Sequence, residues 1–212
     1  MSGRGRLITL EGIDGAGKTT HVPWIRECIE ARGVTVVTTR EPGGTPLGEA
    51  LRELLLHEAM TRDSEVLLMF AARREHLERV IRPALSRGDW VLCDRFTDAT
   101  FAYQGGGHGV AEERIAVLES WVHDDCQPDR TILFDVSSEV SQERLQRSHV
   151  AGRGRDKFER EDSQFFDRVR QAYIDRARAH SERFRVVDSV QPLAAVRHAL
   201  EHIIEELYIH GH

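Results

Sequence analysis

The segment Gly12-Ile-Asp-Gly-Ala-Gly-Lys-Thr19 carries the most specific chemistry in the chain. It fits G-x-x-x-x-G-K-[ST], the spacing of a phosphate-binding loop. Gly12, Gly15 and Gly17 let consecutive backbone N–H groups turn inward around phosphate oxygens, and a following helix N-terminus adds partial positive charge. Lys18 supplies a point charge to the terminal phosphates, and the Thr19 hydroxyl is suited to a magnesium ion. Ile13, Asp14, Ala16 and Thr20 complete the candidate nucleotide-binding stretch. Only Lys18 and Lys157 are lysines; the other 29 − 2 = 27 basic residues are arginine. A lysine at this position therefore stands out, because a compact ammonium fits where a guanidinium fork does not.

Asp94-Arg95 follows a short apolar run. At the carboxyl end of a parallel strand, the acid can hold magnesium or its water, and the arginine can grip a second phosphate. An ordinary surface ion pair is the simpler reading of these two residues taken alone. Phe70 and Arg74 lie i, i+4, so an aromatic plane and a guanidinium could address one base together. Taken alone, Phe70 reads more simply as a core residue, with Arg73 its solvated neighbour. Thr100 and Gln104 form another such pair, with Tyr103 between them. Glu41 and Pro42 open a Pro-Gly-Gly turn. Asparagine is absent, which excludes a protein-kinase H-R-D-x-x-x-x-N loop and weakens any GTPase reading that needs N-K-x-D.

The elements that must position these residues alternate. Strands are expected at 6–11, 34–39, 90–93, 131–136 and 185–187. Helices are expected at 18–31, 47–57, 64–87, 97–104, 112–123, 139–148, 163–183 and 193–207. Pro23 interrupts the first helix's hydrogen bonding. Gly105–Gly107 reads as a loop. Residues 151–161, charged and nearly free of apolar side chains, read as a mobile surface segment. The strands are continuous apolar runs, which indicates a buried parallel sheet. The expected fold is α/β, a P-loop NTPase-type three-layer architecture with a five-stranded parallel sheet and helices on both faces. One domain is expected over 1–212, with a short lid at 150–161.

The chain has 212 residues, with 40% hydrophobic and 30% charged, and a net charge of 29 − 35 = −6. This suits a globular protein and argues against a dedicated nucleic-acid or membrane-surface binder. No apolar run approaches a membrane span, and the first residues lack a signal-peptide core, so a cytoplasmic location is expected. Cys28, Cys93 and Cys126 have no metal-site or disulfide spacing and read as free thiols.

Several separated motifs together resemble the thymidylate kinase family, in its bacterial form: Gly12–Thr20 (GIDGAGKTT), Arg40–Thr45 (REPGGT), Phe70–Arg74 (FAARR), Asp94-Arg95-Phe96, Tyr103–Gly107 (YQGGG) and the arginine-rich segment near Gly152–Lys157. The resemblance covers nearly the whole chain. It implies phosphorylation of dTMP to dTDP by ATP with Mg2+, and a homodimer. It assigns Phe70 to stack on thymine and Arg74 to bond its edge, with Thr100 and Gln104 near the base. It sets Tyr103 against the sugar and points Asp14 at the sugar hydroxyl. Arg95 is implied on the acceptor phosphate, with Glu41 and Pro42 bordering the pocket. Thr19 and Asp94 are the implied metal residues. Position 15 is glycine, so the catalytic arginine is implied in the lid, as Arg153 or Arg155. Adenine contacts are implied near Ser189–Pro192. The competing readings are a kinase for another nucleotide or nucleoside, and a P-loop switch that hydrolyses nucleotide slowly.

Overall fold

The computed structural model describes residues 4–150 and 156–209. Its sheet contains five parallel strands: β1 (Leu7–Glu11), β2 (Val36–Arg40), β3 (Trp90–Asp94), β4 (Arg130–Asp135) and β5 (Phe184–Asp188). Their order is β2-β3-β1-β4-β5. Side chains alternate across the central strands, so each strand feeds two cores. Leu7, Val91 and Cys93 join one apolar cluster with Phe70, Leu77, Ile81 and Ile115. Ile8, Leu10 and Leu92 join the other, with Ile25, Ile29, Phe166 and Leu200. Helices thus cover both faces, as continuous apolar strands require.

Helix α1 (Lys18–Glu30) follows the glycine turn and runs unbroken through Pro23. Helix α2 (Pro46–His57) is capped by the Thr45 hydroxyl, which accepts from the Gly48 N–H. The single helix expected over 64–87 is instead three pieces. Helix α3 (Arg62–His76) passes into a π-helical stretch (Leu77–Ile81) and then α4 (Arg82–Ser86). Helix α5 (Thr97–Thr100) also passes into a π-helical stretch (Phe101–Gly107). The glycine run expected as a loop belongs to that stretch. A Cβ on Gly106 would lie 2.5 Å from the Ala172 Cβ of α8 (Ser163–Ala179), so glycine is needed for close approach rather than for flexibility. Helices α6 (Glu112–His123), α7 (Ser138–Val150) and α9 (Leu193–Ile209) complete the cover.

Residues 156–161 depart from the expected solvated segment. The Lys157 N–H bonds the Leu56 carbonyl at 3.1 Å. Phe158 is buried and meets the Tyr103 ring edge-on at 5.8 Å. One aromatic in a charged run is enough to fasten it.

All five strands end in a charged residue at the carboxyl edge: Glu11, Arg40, Asp94, Asp135 and Asp188. Asp98, in the first turn after β3, ties that region to α8 and to the start of β5. Its carboxylate accepts from Arg176 at 2.6 Å and from Arg183 at 2.7 and 2.8 Å. Burial alone would raise the Asp98 pKa, but the hydrogen bonds and charges of Arg183 and Arg176 reverse this and bring it to about 2. A depressed carboxylate pKa stabilises the fold above its ordinary value, and the contribution disappears as pH falls through the folded value. Urea unfolding at pH 5 and pH 2.5 is therefore expected to show a smaller acid-induced loss in Asp98→Asn, from a lower starting stability, than in the parent. An equal loss in both would sink this assignment.

Candidate active site

One cleft of about 570 Å³ lies over the carboxyl edge of β1, β2 and β3, where α/β sheets bind ligands. At one end is the phosphate loop. Gly15 has φ +77° and Gly17, at the start of α1, φ +94°. A Cβ on Gly15 would stand 2.7 Å from the Ser141 carbonyl oxygen. Both backbone shape and space therefore demand glycine there. Lys18 Nζ donates to the Gly12 and Ile13 carbonyls at 2.9 and 3.2 Å. Burial first, then the Arg95 charge, pulls the Lys18 ammonium down to about 8, against the pull of Asp94 and Asp14.

Thr19 Oγ1 lies 3.4 Å from Asp94 Oδ2, and Asp94 Oδ1 is buried with no hydrogen-bond partner. An unpaired buried carboxylate oxygen beside a threonine hydroxyl, at a helix N-terminus, fits a hydrated magnesium ion. No cluster of three or more candidate metal-ligating residues occurs among the described residues, so an ion here depends on phosphate oxygens and water for its remaining ligands.

Arg95 occupies the centre. Its φ of +69° is unusual outside glycine and turns its side chain back across the loop. The guanidinium donates to Asp14 Oδ1 at 2.6 Å, Gly12 O at 3.0 Å, Tyr103 Oη at 3.0 Å and Tyr173 Oη at 3.1 Å. Tyr173 Oη in turn donates to Glu11 Oε2 at 2.8 Å, and the Phe96 N–H donates to Glu11 Oε1 at 2.7 Å. Burial, then the Asp98 charge, pushes Glu11 up to about 7, against Arg95 and these two hydrogen bonds. Burial would raise Asp14 as well, but the charges of Arg95 and Lys18 hold it below the usual carboxylate range. Tyr103 Oη donates to Asp14 Oδ2 at 2.9 Å.

The far end is where the sequence reading needs correction. Phe70 does not line the cleft. It is 2% exposed and sits in the core, its ring tilted against His123 at 6.5 Å. Arg74 points away, to the Val122 carbonyl at 3.0 Å and Glu78 at 3.0 Å. The cleft is lined one residue earlier, by Met69 and Arg73. Residues 69 and 73 have the same i, i+4 spacing as 70 and 74, so periodicity identified the pairing but not which of two adjacent faces looks inward.

Arg73, expected to be solvated, is 2% exposed. Its Nε donates to Glu41 Oε2 at 2.7 Å and its Nη2 to Thr100 Oγ1 at 3.1 Å; Nη1 is buried without a partner. Glu41 also bonds His76 Nδ1 at 2.9 Å, and His76 Nε2 bonds Thr39 at 2.7 Å. Burial would raise Glu41, but Arg73 and His76 hold it below its ordinary value. Pro42 follows through a cis peptide bond and lines the cleft.

Thr100, Tyr103 and Gln104 come together on α5 and its π-helical continuation, all lining the cleft. Arg52, Arg144 and Phe158 were not singled out from sequence, yet they line it too. Arg144 donates to the Gly15 carbonyl at 3.3 Å and the Ser189 carbonyl at 2.8 Å, bridging the loop to the 189–192 region. Its only sequence signal is a basic residue on a helix facing the phosphate loop. Arg153 and Arg155 lie outside the described residues.

A parallel sheet, a phosphate loop on its central strand and a second, arginine-centred pocket sharing the same cleft define a P-loop kinase. The thymidylate kinase family profile matches residues 10–200. The chain is 57% identical over 207 residues to the thymidylate kinase of Bordetella pertussis, covering 98% of both chains. It is 58% identical over 203 residues to that of Methylobacillus flagellatus, covering 96% of this chain and 98% of the relative. The crystal structure of thymidylate kinase from Ehrlichia chaffeensis superimposes with TM-score 0.75 at 35% identity, covering 96% of this chain and 99% of the other. The chain belongs to the thymidylate kinase family.

Proposed function

We propose that this protein transfers the terminal phosphoryl group of ATP to dTMP, giving dTDP and ADP, with Mg2+ as cofactor, in the supply of dTTP. The observation that carries the reading is the single cleft holding a phosphate loop at one end and Arg95, Tyr103, Gln104 and Arg73 at the other. ATP phosphates lie on residues 12–20, with the adenine toward Arg144 and Ser189. The dTMP phosphate engages Arg95. The base lies between Met69 and Arg73 on one side and Thr100 and Gln104 on the other. The unpartnered Arg73 Nη1 then finds an acceptor on the base edge, which removes the cost of a buried idle donor. Tyr103 and Asp14 border the sugar, where the buried tyrosine ring crowds a ribo 2′-hydroxyl. Glu41 fixes Arg73 in place.

An oxygen of the acceptor phosphate attacks the terminal phosphorus in line, and the bond to the ADP oxygen breaks. Lys18 and Arg95 stabilise the charge on the transferring group, and Arg153 or Arg155 adds a further cation from the lid. Thr19 and Asp94 would hold a magnesium ion, which would supply neutralisation of the donor phosphates' charge. No general base is required, because the acceptor phosphate is already largely ionised at neutral pH. Closure of the lid would exclude water and suppress hydrolysis of ATP.

ADP release from ATP and Mg2+ tests this directly. Turnover is expected to depend strongly on dTMP and to be far slower with other monophosphates. Turnover without an acceptor would replace the reading with a hydrolytic switch. Turnover with a different monophosphate would keep the phosphate-loop chemistry and overturn the base pocket.

A homodimer is part of the proposal. Helices α3 and α6 pack together and present Leu67, Val117 and Trp121 to solvent, with Trp121 78% exposed. An apolar patch of this kind suits a second copy. Light scattering should give about twice the 24.1 kDa chain mass. No described helix is long and apolar enough to cross a membrane; a cytoplasmic site of action follows from the proposed substrates.

A further inference from the structure

Gln104 is buried, yet it lines the acceptor end of the cleft. Its Nε2 donates to Glu65 Oε1 at 2.8 Å. Glu65 lies on the α3 face that also carries Met69 and Arg73, one and two turns further along. The residue is 4% exposed. It also contacts Lys157 Nζ at 2.5 Å and His108 Nδ1 at 3.4 Å. Burial alone would raise the Glu65 pKa, but hydrogen bonds from His108, Lys157 and Gln104 outweigh it and keep the group ionised.

An ionised carboxylate only accepts hydrogen bonds. The amide beside it must therefore turn its NH2 group inward. The reverse orientation would set two oxygens against each other at hydrogen-bond distance in a buried site. With one amide hydrogen committed to Glu65, the Gln104 amide is fixed in one orientation, its carbonyl oxygen turned away from the carboxylate and held in a set position for a ligand. An amide is otherwise indifferent to donor and acceptor, since it can flip.

We propose that Glu65 is a specificity-setting positioning residue: it locks the Gln104 amide in one orientation, so that its carbonyl oxygen is the group held toward the ring nitrogen of the base. Such a pocket takes a pyrimidine whose ring nitrogen carries a proton, as in thymine and uracil. It opposes cytosine, whose ring nitrogen offers a lone pair. Lys157 balances the buried charge that the lock requires. The inference rests on the reading that the acceptor base lies against Gln104.

Three variants of the full chain test it: Glu65→Gln, Gln104→Leu and the exchange Glu65→Gln/Gln104→Glu. The readouts are calorimetric Kd values for dTMP and dCMP, with kcat and KM for dTMP and ATP. In Glu65→Gln the amide at 104 is free to flip. The Kd ratio of dCMP to dTMP is then expected to fall about tenfold, with the change in KM for dTMP and little in KM for ATP. In Gln104→Leu the ratio is expected to fall at least as far. The exchange variant puts a group that only accepts at position 104 and an amide donor at 65, and is expected to recover the preference for dTMP over the Glu65→Gln single variant. If Glu65→Gln keeps the parent ratio while Gln104→Leu loses it, Glu65 does not set the orientation. Should the exchange fail to recover the preference, the lock is likewise overturned, even if Glu65→Gln itself folds poorly. If Gln104→Leu also keeps the ratio, the base does not lie against Gln104, and the underlying reading fails instead.

Discussion

Replacing Lys18 by methionine is expected to lower kcat by about 10²–10³-fold, the typical cost of removing one preorganised charge from a transferring group. Methionine fills much the same volume, and the two backbone carbonyls that Lys18 now contacts belong to the loop it would leave. The KM for dTMP should move much less, because Lys18 lies at the donor end. The ammonium has a second signature. Its pKa is pulled down to about 8, so it is charged at neutral pH and loses its proton as pH rises through that value. The kcat/KM for ATP, which reports the free protein, should therefore decline above about pH 8 in the parent. In Lys18→Met the residual activity should lack that descending limb. Stopped assays from pH 6.5 to 9.5 measure both. A descending limb retained in the variant would assign the titration to another group.

Arg95→Met is expected to reduce kcat/KM for dTMP by about 10³-fold, since in the proposed mechanism one guanidinium both binds the acceptor phosphate and stabilises charge in transfer. It should also destabilise the protein. Asp14 would lose its 2.6 Å partner, and Tyr173 and Tyr103 would lose a donor. Truncating one member of a buried pair commonly costs about 3–5 kcal/mol; Arg95 is partly exposed, so the lower end is expected. Arg95→Lys separates the two effects. It restores charge but not the fork that reaches four partners, so stability should recover more than turnover does. Thermal melts and kinetics on the same preparations decide. Equal recovery of both would mean that charge alone matters at this position.

The fold was legible because its signals are local and redundant. Apolar runs at 7–11, 90–94 and 130–135 are strands under almost any reading, and the phosphate-loop spacing admits one strand-turn-helix context. The proposed acceptor pocket was half legible. Asp14, Arg95, Tyr103 and Gln104 meet in one cleft, as the family resemblance implies. Phe70 and Arg74 do not, because a one-residue rotation of α3 cannot be read from i, i+4 pairs that exist on both faces. The decisive fact is three-dimensional: Glu41, 32 positions away in sequence, receives Arg73 and not Arg74. Buried relays were the least legible. Glu11 reads as the end of a strand and Tyr173 as a helix residue, and only the folded chain shows that they brace Arg95. The two π-helical stretches were invisible for a related reason. Each is one extra residue in an otherwise helical pattern, and composition does not mark where it is inserted.

The placement of the two lysines has a practical outcome for chemical labelling. Lys18 is buried beneath the phosphate loop, and Lys157 is clasped to Glu65 beside the acceptor pocket. Apart from the terminal amine, the chain's primary amines are Lys18, which lines the cleft, and Lys157, whose partner Glu65 holds the cleft-lining Gln104. An acylating reagent with intact-mass detection thus becomes a footprint of ligand occupancy, with the surface contributing almost no background.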